Sequence, residues 1–264
     1  MIQVYGLSDV GCVRQNNEDR ILIDEQLGFF VVADGMGGHG YGEVASELAI
    51  RTSHHYVGAS RDRFDVSWPF GYEVNKSLDE NRLATAINMA NRLVWREVEN
   101  TPAYAGMGTT IVAAIVNEDR VAIGSVGDSR AYLIRDGQMR QLTVDDSWVA
   151  NLIREGAISE EQAMSHAKRN VLTQAVGSHQ QLDVHTLEET LQGGDILALM
   201  SDGVYGVIES AALRSILFSC PDLRTSVRQV IEAARQQGAP DNASCIVLRY
   251  NSEDGPSPVI SQTR

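Results

Sequence analysis

Acidic residues stand next to several predicted strands of this chain. Asp34 directly follows the apolar run 29–33, and Asp202 closes the run "ALMSD". The acids that share such a position are Glu18, Asp19, Asp34, Asp128, Asp202 and Asp241. Taken singly, each is typical of turn chemistry, because Asp beside Gly or Asn favours turns. Their repetition in separate segments instead predicts that the carboxylates act together.

A set of oxygen ligands suits a hard divalent cation. Mg²⁺ and Mn²⁺ prefer carboxylate and carbonyl oxygens at about 2.1 Å and keep several waters. One carboxylate that bridges two such ions, about 3.5–4 Å apart, forms the clamp used in phosphate-ester hydrolysis. Histidine and cysteine, the usual zinc ligands, are nearly absent from these positions. The sequence therefore predicts a magnesium or manganese site.

Composition bounds the class of protein. The chain has 264 residues and a net charge of −13, which argues against nucleic-acid binding because such proteins need clustered Lys and Arg. The excess acid is explained either by solubility or by carboxylates gathered for a cation. No apolar run reaches the roughly 18 residues of a membrane span, and "MIQVYGLSDVG" lacks the features of a signal peptide. Cys12, Cys220 and Cys245 are widely spaced and are interpreted as reduced, packed thiols of a cytoplasmic protein.

Runs of β-branched and aromatic residues bounded by Gly, Asp or Asn predict the strands that must position these acids, and apolar residues at helical spacing predict the helices. Predicted strands cover 2–9, 20–24, 28–34, 109–117, 119–126, 130–135, 183–190, 196–202 and 243–250, with a hairpin turn at 136–138. Predicted helices cover 43–57, about 83–98, 147–168, 208–219 and 222–237, with a long surface loop at 58–80 and a disordered tail at 251–264. Strands in blocks and helices in pairs favour antiparallel sheets covered by helices, an α+β fold.

Seven short motifs occur in one family's order. They are "RQNNED" (14–19), "VVADGMGGHGYGE" (31–43), "MGTT" (107–110), "VGDSRAY" (126–132), "RNVLTQAVG" (169–177), "ALMSDGV" (198–204) and "PDNAS" (240–244). Through them the chain resembles the metal-dependent, type 2C serine/threonine protein phosphatases, particularly bacterial stand-alone catalytic domains. The resemblance implies a four-layer α-β-β-α sandwich over residues 1–250, with a mobile flap at about 147–170.

The resemblance also assigns metal ligands. Asp34 would bridge two ions, and the main-chain carbonyl of Gly35 would bind one of them, which explains the absence of a side chain there. Asp202 and Asp241 would complete one shell, and Glu18 would hold the other ion largely through water. A third, weaker ion would lie between Asp128 and Asp202.

Three further residues receive catalytic roles from the resemblance. Arg14 would bind the substrate phosphate, and Asp19 would accept a hydrogen bond from metal-bound water. His39 would protonate the leaving alkoxide, although a surface-loop histidine is the alternative. The implied reaction is hydrolysis of phosphoserine and phosphothreonine in proteins by a water held between two Mg²⁺ or Mn²⁺ ions, which reverses serine/threonine kinase signalling.

The chain departs from the family pattern at several places. Relatives usually read Asp-His-Ser where this chain has "DDS", which puts Asp146 in the place of the histidine. Ala167 replaces a frequent proline, so the conformation of the flap is left open. The loop 63–75 is longer than in minimal members, and its Trp68, Phe70 and Tyr72 either pack within the loop or dock a partner.

Two rival functions remain at this stage. A catalytically weak phosphoprotein-binding regulator is disfavoured by the intact Asp34, Asp202 and Asp241. A small-phosphoester hydrolase stays open because the metal ligands do not reveal the size of the leaving group. The expected partners are phosphorylated proteins and a cognate kinase, without nucleic acid or membrane, and the expected state is a cytoplasmic monomer.

Overall fold

A computed structural model describes residues 1–37, 40–61, 66–164, 166–220 and 222–251 of the protein. The strands in these ranges are β1 (Ile2–Asp9), β2 (Arg20–Asp24), β3 (Phe29–Ala33), β4 (Gly35–Met36), β5 (Gly108–Thr109), β6 (Ile111–Asn117), β7 (Arg120–Val126), β8 (Arg130–Arg135), β9 (Gln138–Gln141), β10 (His185–Thr190), β11 (Ile196–Met200) and β12 (Ala243–Tyr250). The helices are α1 (Gly42–Arg61), α2 (Leu78–Asn100), α3 (Trp148–Arg154), α4 (Glu160–Met164), α5 (Asp202–Tyr205), α6 (Ser210–Ser219) and α7 (Leu223–Gln236).

The described strands form two five-stranded antiparallel sheets. One sheet has the order β1-β12-β11-β8-β9 and the other has the order β10-β7-β6-β3-β2. A third, two-stranded sheet joins β4 to β5 through the pairs Gly35–Thr109 and Met36–Gly108. The first sheet places the N-terminal strand beside the C-terminal one, in register from Ile2 opposite Tyr250 to Asp9 opposite Ala243.

Three apolar clusters define the layers. Side chains between the sheets, such as Phe30 and Ile246, form the central one. Helices α1 and α2 pack on the outer face of the second sheet around Leu83 and Ile87. Helices α6 and α7 cover the first sheet through residues such as Val227. The predicted four-layer α-β-β-α sandwich is therefore confirmed.

Element boundaries depart from the sequence prediction in four places. Helix α1 continues through residues 58–61, which were predicted to be loop, and α2 begins at Leu78 with a capping box between Ser77 and Glu80. The continuous helix predicted over 147–168 is wrong, since α3 and α4 are separate short helices. Residue 202 begins α5 instead of ending a strand.

Several smaller predictions can be checked in the described ranges. Trp68 packs edge-on against Tyr56 and Tyr72, with ring centroids 6.4 and 5.2 Å away, while Phe70 and Tyr72 stay exposed. Cys12 is exposed, so its prediction as a packed thiol is wrong, whereas Cys245 is fully buried. The predicted tail lies, apart from residue 251, outside the described residues. Within those residues, no helix is both long and apolar enough to cross a bilayer.

Candidate active site

A cavity of about 670 Å³ opens where the two sheets end, and it gathers most of the acids singled out in the sequence. Its walls include Glu18, Asp34, Gly35, Asp128, Asp202 and Asp241, together with Arg14, Val13, Gln15, Asn16, Met36, Gly37, Gly40, Thr110, Asn170, Leu172 and Asn242. These acids come from segments as far apart as residues 18 and 241. Antiparallel pairing brings the segments together. Because adjacent strands run in opposite directions, the residues before one strand lie beside the residues after its neighbour.

Asp34 lies in the junction between β3 and β4, and its backbone is held by two threonines. The Asp34 N–H donates to Oγ1 of Thr110 at 3.1 Å, and the Asp34 carbonyl accepts from the Thr110 N–H and from the Thr109 hydroxyl, both at 2.8 Å. Every main-chain polar group of Asp34 is thus satisfied by the "MGTT" segment. The carboxylate is left to face the cavity and the other acids.

The glycine after Asp34 is required by close backbone packing. A Cβ on Gly35 would lie 2.2 Å from the Gly42 carbonyl oxygen and 2.6 Å from that of Glu18. A Cβ on Gly42 would lie 2.4 Å from Oε2 of Glu18. No other residue fits at either place. These glycines therefore allow Glu18 to lie beside the junction that carries Asp34. The sequence predicted Gly35 only from metal binding and not from this close packing.

Asp202 and Asp241 are brought together in the same way. Asp202 begins α5, and a Cβ on the next residue, Gly203, would lie 1.9 Å from the carbonyl oxygen of Asn242. The dipeptides Asp202-Gly203 and Asp241-Asn242 each resemble a turn in the sequence. In the structure they are in contact through Gly203 and Asn242. This contact sets the two carboxylates side by side at the cavity wall.

Asn242 is a site residue that the sequence reasoning missed. It is 4% exposed, and its Nδ2 donates to the carbonyls of Val10 and Asn16, both at 2.9 Å. Its Oδ1 accepts the Glu18 N–H at 2.8 Å. Asn242 therefore fixes the segment that carries Arg14 and Glu18. The only signal was its place directly after Asp241, which turn chemistry explains equally well.

Asp19 lies behind the cavity wall. It is 1% exposed, its Oδ2 accepts from the Ser201 hydroxyl at 2.8 Å, and its Oδ1 has no hydrogen-bond partner within the described part of the chain. Burial raises the pKa of Asp19 to about 6, against the opposing effect of hydrogen bonds from Ser244 and Ser201. Because Asp19 lies behind the wall, it is better placed to contact Asp34 than to contact a molecule in the cavity.

Asp128 follows β7 in a turn that aromatic and charged groups support. The Tyr205 hydroxyl donates to the Asp128 carbonyl at 2.8 Å. The guanidinium of Arg130 lies 3.9 Å from the centre of the Tyr205 ring and pairs with Asp145 at 2.7 Å. Burial, and then the charge of Asp202, raise the pKa of Asp128 to about 8.

The acids repel one another strongly. Burial raises the pKa of Asp34 well above its ordinary value, and the charges of Asp19, Asp202, Asp128 and Asp241 raise it further. Asp202 is affected in the same direction, by burial and by Asp241. Carboxylates placed together without cations oppose folding. Such an arrangement indicates a site whose negative charge is meant to be compensated by a ligand.

Arg14 contacts this cluster directly. Its Nη2 donates to Oδ2 of Asp241 at 2.7 Å, and its side chain is more than half exposed. The resemblance implies that Arg14 binds the substrate phosphate and that Asp241 binds a metal. It does not predict the ion pair that the two residues form with each other. His39 lies outside the described residues.

The residues fit a hard divalent cation in kind and in burial. All the predicted ligands are oxygens, and Oδ1 of Asp202 is buried with no hydrogen-bond partner among the described residues. In the same ranges, no three His, Cys, Asp or Glu side chains converge closely enough to hold an ion as they stand. The arrangement of Asp241 explains part of this, because Arg14 takes one of its oxygens. The buried, unsatisfied oxygen of Asp202 and the mutual repulsion of the acids still favour a cation, because a small side-chain rotation costs less than buried uncompensated charge.

The segment 147–170, for which the resemblance implies a flap, reaches the cavity near its C-terminal end. Asn170 and the neighbouring Leu172 line the cavity, and Ser147 pairs with Leu172 in an isolated bridge at the base of the flap. Lys168 lies over the Trp148 ring at 4.6 Å. Ala167 is exposed, and nothing in the described residues gives it a specific role.

Comparisons with known proteins agree with this geometry. The family model described as "Protein phosphatase 2C" matches residues 13–245. The serine/threonine protein phosphatase PstP of Mycobacterium tuberculosis is 36% identical over 240 residues, which are 91% of this chain, and the serine/threonine phosphatase stp of Listeria innocua is 35% identical over 251 residues, which are 92% of it. The crystal structure of the catalytic domain of PstP in complex with two manganese ions has a TM-score of 0.80 at 31% identity and covers 95% of this chain and 99% of that one.

The relatives differ in how much of their own length is matched. The aligned region spans 43% of the whole PstP protein but 94% of the Listeria protein. The similarity to PstP therefore concerns less than half of that protein.

Proposed function

Because this chain belongs to the protein phosphatase 2C family, we propose that it hydrolyses phosphoserine and phosphothreonine esters in proteins with the help of Mg²⁺ or Mn²⁺. The observation that carries the proposal is the single cavity that gathers Glu18, Asp34, Asp128, Asp202 and Asp241. We assign the catalytic domain to residues 1–250.

The proposed ligands are those that the family resemblance implies. Asp34 would bridge two ions, the carbonyl of Gly35 would bind one, and Asp202 and Asp241 would complete its surroundings. Glu18 would serve the second ion, and Asp128 together with Asp202 would hold a third, weaker one. When bound, the cations supply positive charge that polarises the phosphate ester and makes water a nucleophile near neutral pH.

The remaining work falls to the chain's own side chains. Arg14 lies at the cavity wall with more than half of its side chain exposed, so it would release Asp241 and donate two parallel hydrogen bonds to the phosphate. The resemblance gives Asp19 a hydrogen bond to metal-bound water. Because Asp19 is buried behind Asp34, we propose instead that it keeps the Asp34 carboxyl group in position. His39 would donate a proton to the departing serine or threonine oxygen.

The cellular setting follows from the same reasoning. The partners would be phosphoproteins and the kinase that phosphorylates them, as expected for an enzyme that reverses kinase signalling. Three free cysteines are compatible with a reducing cytoplasm. A net charge of −13 favours a monomer, because like-charged copies repel each other.

Turnover by the purified chain should depend completely on Mn²⁺ or Mg²⁺. A phosphothreonine peptide should be hydrolysed with either ion and not in excess EDTA, because the ligand set consists of oxygens that cannot replace the missing charge. Phosphate release would be compared among phosphothreonine peptide, sugar phosphates and nucleotides. Faster release from the small phosphoesters would favour the small-molecule hydrolase, and no release from any substrate would favour the non-catalytic regulator. Full activity in EDTA would contradict the metal proposal itself.

Replacing Arg14 by alanine should have two opposite effects. The kcat/KM for the peptide should fall about 10- to 100-fold, because charge-assisted hydrogen bonds contribute roughly 1.5–3 kcal/mol. The Mn²⁺ concentration for half-maximal activity should fall by up to about fivefold, since an exposed ion pair is worth about 1 kcal/mol at most and Asp241 is no longer engaged. Steady-state kinetics over a Mn²⁺ series would measure both.

A matched control exists elsewhere on the surface. Arg235 forms a comparable exposed pair with Asp9, at 2.8 Å. Arg235→Ala should change neither quantity. An Arg14→Ala protein that needs more Mn²⁺, instead of less, would show that Arg14 does not compete with the metal for Asp241.

A further inference from the structure

Asp146 connects three segments of the chain through one buried carboxylate. It is 7% exposed, and its Oδ2 accepts the Gly127 N–H at 3.0 Å. Its Oδ1 accepts from Nε2 of His185 at 2.9 Å and from Nε2 of Gln174 at 3.2 Å. The residue therefore joins the turn after β7, the segment after the flap and the first residue of β10.

The backbone of Asp146 connects two of these three segments, the turn after β7 and the segment after residue 170. Its N–H donates to the Gly127 carbonyl at 2.9 Å, and its carbonyl accepts the Thr173 N–H at 2.8 Å. The next residues continue the ladder through the Ser147–Leu172 bridge and the bond from Trp148 to Val171. Asp146 is thus the point at which the two ends of the flap meet the turn that carries Asp128.

His185 is the hydrogen-bonding partner of this buried carboxylate. The hydrogen bond to Asp146 raises the pKa of His185, against the effect of burial, and Asp183 acts in the same direction while Arg154 opposes it. An unpaired carboxylate in this place would be strongly unfavourable. The imidazole also fixes the direction of Oδ1, which leaves Oδ2 for Gly127.

The turn 127–129 has two other supports, and neither reaches the flap. The Tyr205 hydroxyl bonds to the Asp128 carbonyl, and the Ser129 hydroxyl lies 2.6 Å from that of Thr110. Asp146 is therefore distinct among these contacts, because it holds both the turn and the base of the flap.

We propose that Asp146, oriented by His185, is a positioning residue that fixes the base of the flap and the Gly127–Asp128 turn relative to each other. The inference rests on the proposed phosphatase function for its kinetic consequence. Its structural consequence, a flap whose attachment depends on Asp146, does not require that function.

The test compares this pair with a second carboxylate–histidine pair of the same kind. Asp24 and His54 lie 2.8 Å apart on β2 and α1, and neither lines the cavity. The variants are Asp146→Asn, His185→Ala and His185→Gln, with Asp24→Asn and His54→Ala as controls. Below the melting transition of every variant, kcat and KM for a phosphothreonine peptide with Mn²⁺ and the rate of tryptic cleavage after Lys168 and Arg169 would be measured. The melting temperature would be measured separately by thermal unfolding.

We expect Asp146→Asn and His185→Ala to lower kcat about 10- to 100-fold, the usual effect of removing a group that orients a metal-site residue. Both should also be cleaved several times faster at Lys168 and Arg169, which are already exposed. His185→Gln, which keeps a donor for Oδ1, should recover most of both losses. The control pair should alter the melting temperature alone.

The outcomes separate the two proposals. If Asp146→Asn and His185→Ala match the controls in kcat and in cleavage, or lose turnover without faster cleavage, the positioning role is wrong. If Asp146→Asn does not fold, the two His185 variants decide in the same way. If the wild-type protein has no turnover, the proposed function fails, and the cleavage rates alone confirm or overturn the link between Asp146 and the flap.

Discussion

Replacing Asp34 by asparagine is expected to lower phosphopeptide turnover by at least about a thousandfold. Asp34 is the proposed bridge between two cations and lines the acidic cavity. Loss of the bridging charge would remove several kcal/mol of stabilisation from the developing phosphate charge, and each 1.36 kcal/mol corresponds to a factor of ten in rate. Phosphate release from a phosphothreonine peptide at saturating Mn²⁺ would measure the loss.

The same substitution should not destabilise the metal-free protein. Asp34 is surrounded by Asp19, Asp128, Asp202 and Asp241, so the neutral amide removes a repulsive charge. The hydrogen bonds from the Asp34 backbone to Thr109 and Thr110 do not involve the carboxylate and are retained. We therefore expect the melting temperature in EDTA to be equal to or higher than that of the wild type.

With metal bound, the wild-type protein should be more stable than Asp34→Asn. A ligand that binds only the folded state raises its stability with concentration. Mn²⁺ should thus raise the melting temperature of the wild type, and Asp34→Asn should lose most of that rise. Thermal unfolding with EDTA and over a Mn²⁺ series would show both effects.

A buried acid outside the cavity provides the contrast. Asp195 is 2% exposed and pairs with Arg135 through both carboxylate oxygens, at 2.6–3.2 Å. Asp195→Asn breaks a satisfied pair, so it should lower the melting temperature and leave turnover intact. If Asp34→Asn destabilises the metal-free protein as much as Asp195→Asn does, the acidic cluster is a structural network and not a site built for cations.

The sequence predicts the sheets of this fold well because their patterns are local. Strands such as β3, β6 and β7 are apolar runs bounded by Gly, Asp or Asn, and each lies within a residue or two of its predicted limits. The end of α1 was missed because residues 58–61 contain Gly58, which weakens a helical pattern, while burial of Ser60 against Arg82 holds the last turn. That contact joins residues 22 positions apart and leaves no local signal.

In the site, too, features with a local sequence signal were predicted, and features that depend on distant residues were not. The acids were identified because each follows or precedes an apolar run, and the structure places Glu18, Asp34, Asp128, Asp202 and Asp241 around one cavity. Their supports were not identified, since Asn242, Ser201 and Tyr205 act across more than seventy residues of sequence. Residue type gave no warning, because Asn, Ser and Tyr are common in loops and cores alike.

Arg14 and Asp146 show a different limit. Both were noticed in the sequence, Arg14 for its motif and Asp146 for its departure from the usual histidine. What the sequence could not supply was the partner. Arg14 bonds to Asp241, and Asp146 bonds to His185, so the consequence of each residue depends on a contact made only after the sheets assemble.

His39→Ala should slow phosphopeptide hydrolysis about 10²- to 10⁴-fold, the usual contribution of a general acid. This expectation comes from the sequence, since His39 lies outside the described residues. A serine or threonine alkoxide is a poor leaving group and needs a proton as the ester bond breaks. Nitrophenolate leaves without one, so hydrolysis of p-nitrophenyl phosphate should change little.

The two substrates make the experiment its own control for binding and folding. A variant with damaged metal binding would lose activity on both substrates, whereas loss of a proton donor affects only the substrate with the poorer leaving group. His55→Ala, at an exposed position on α1, should affect neither. Equal losses on the peptide and on p-nitrophenyl phosphate would show that His39 supports the glycine-rich segment instead of donating a proton, and the alkoxide would then have to take its proton from another group at the cavity.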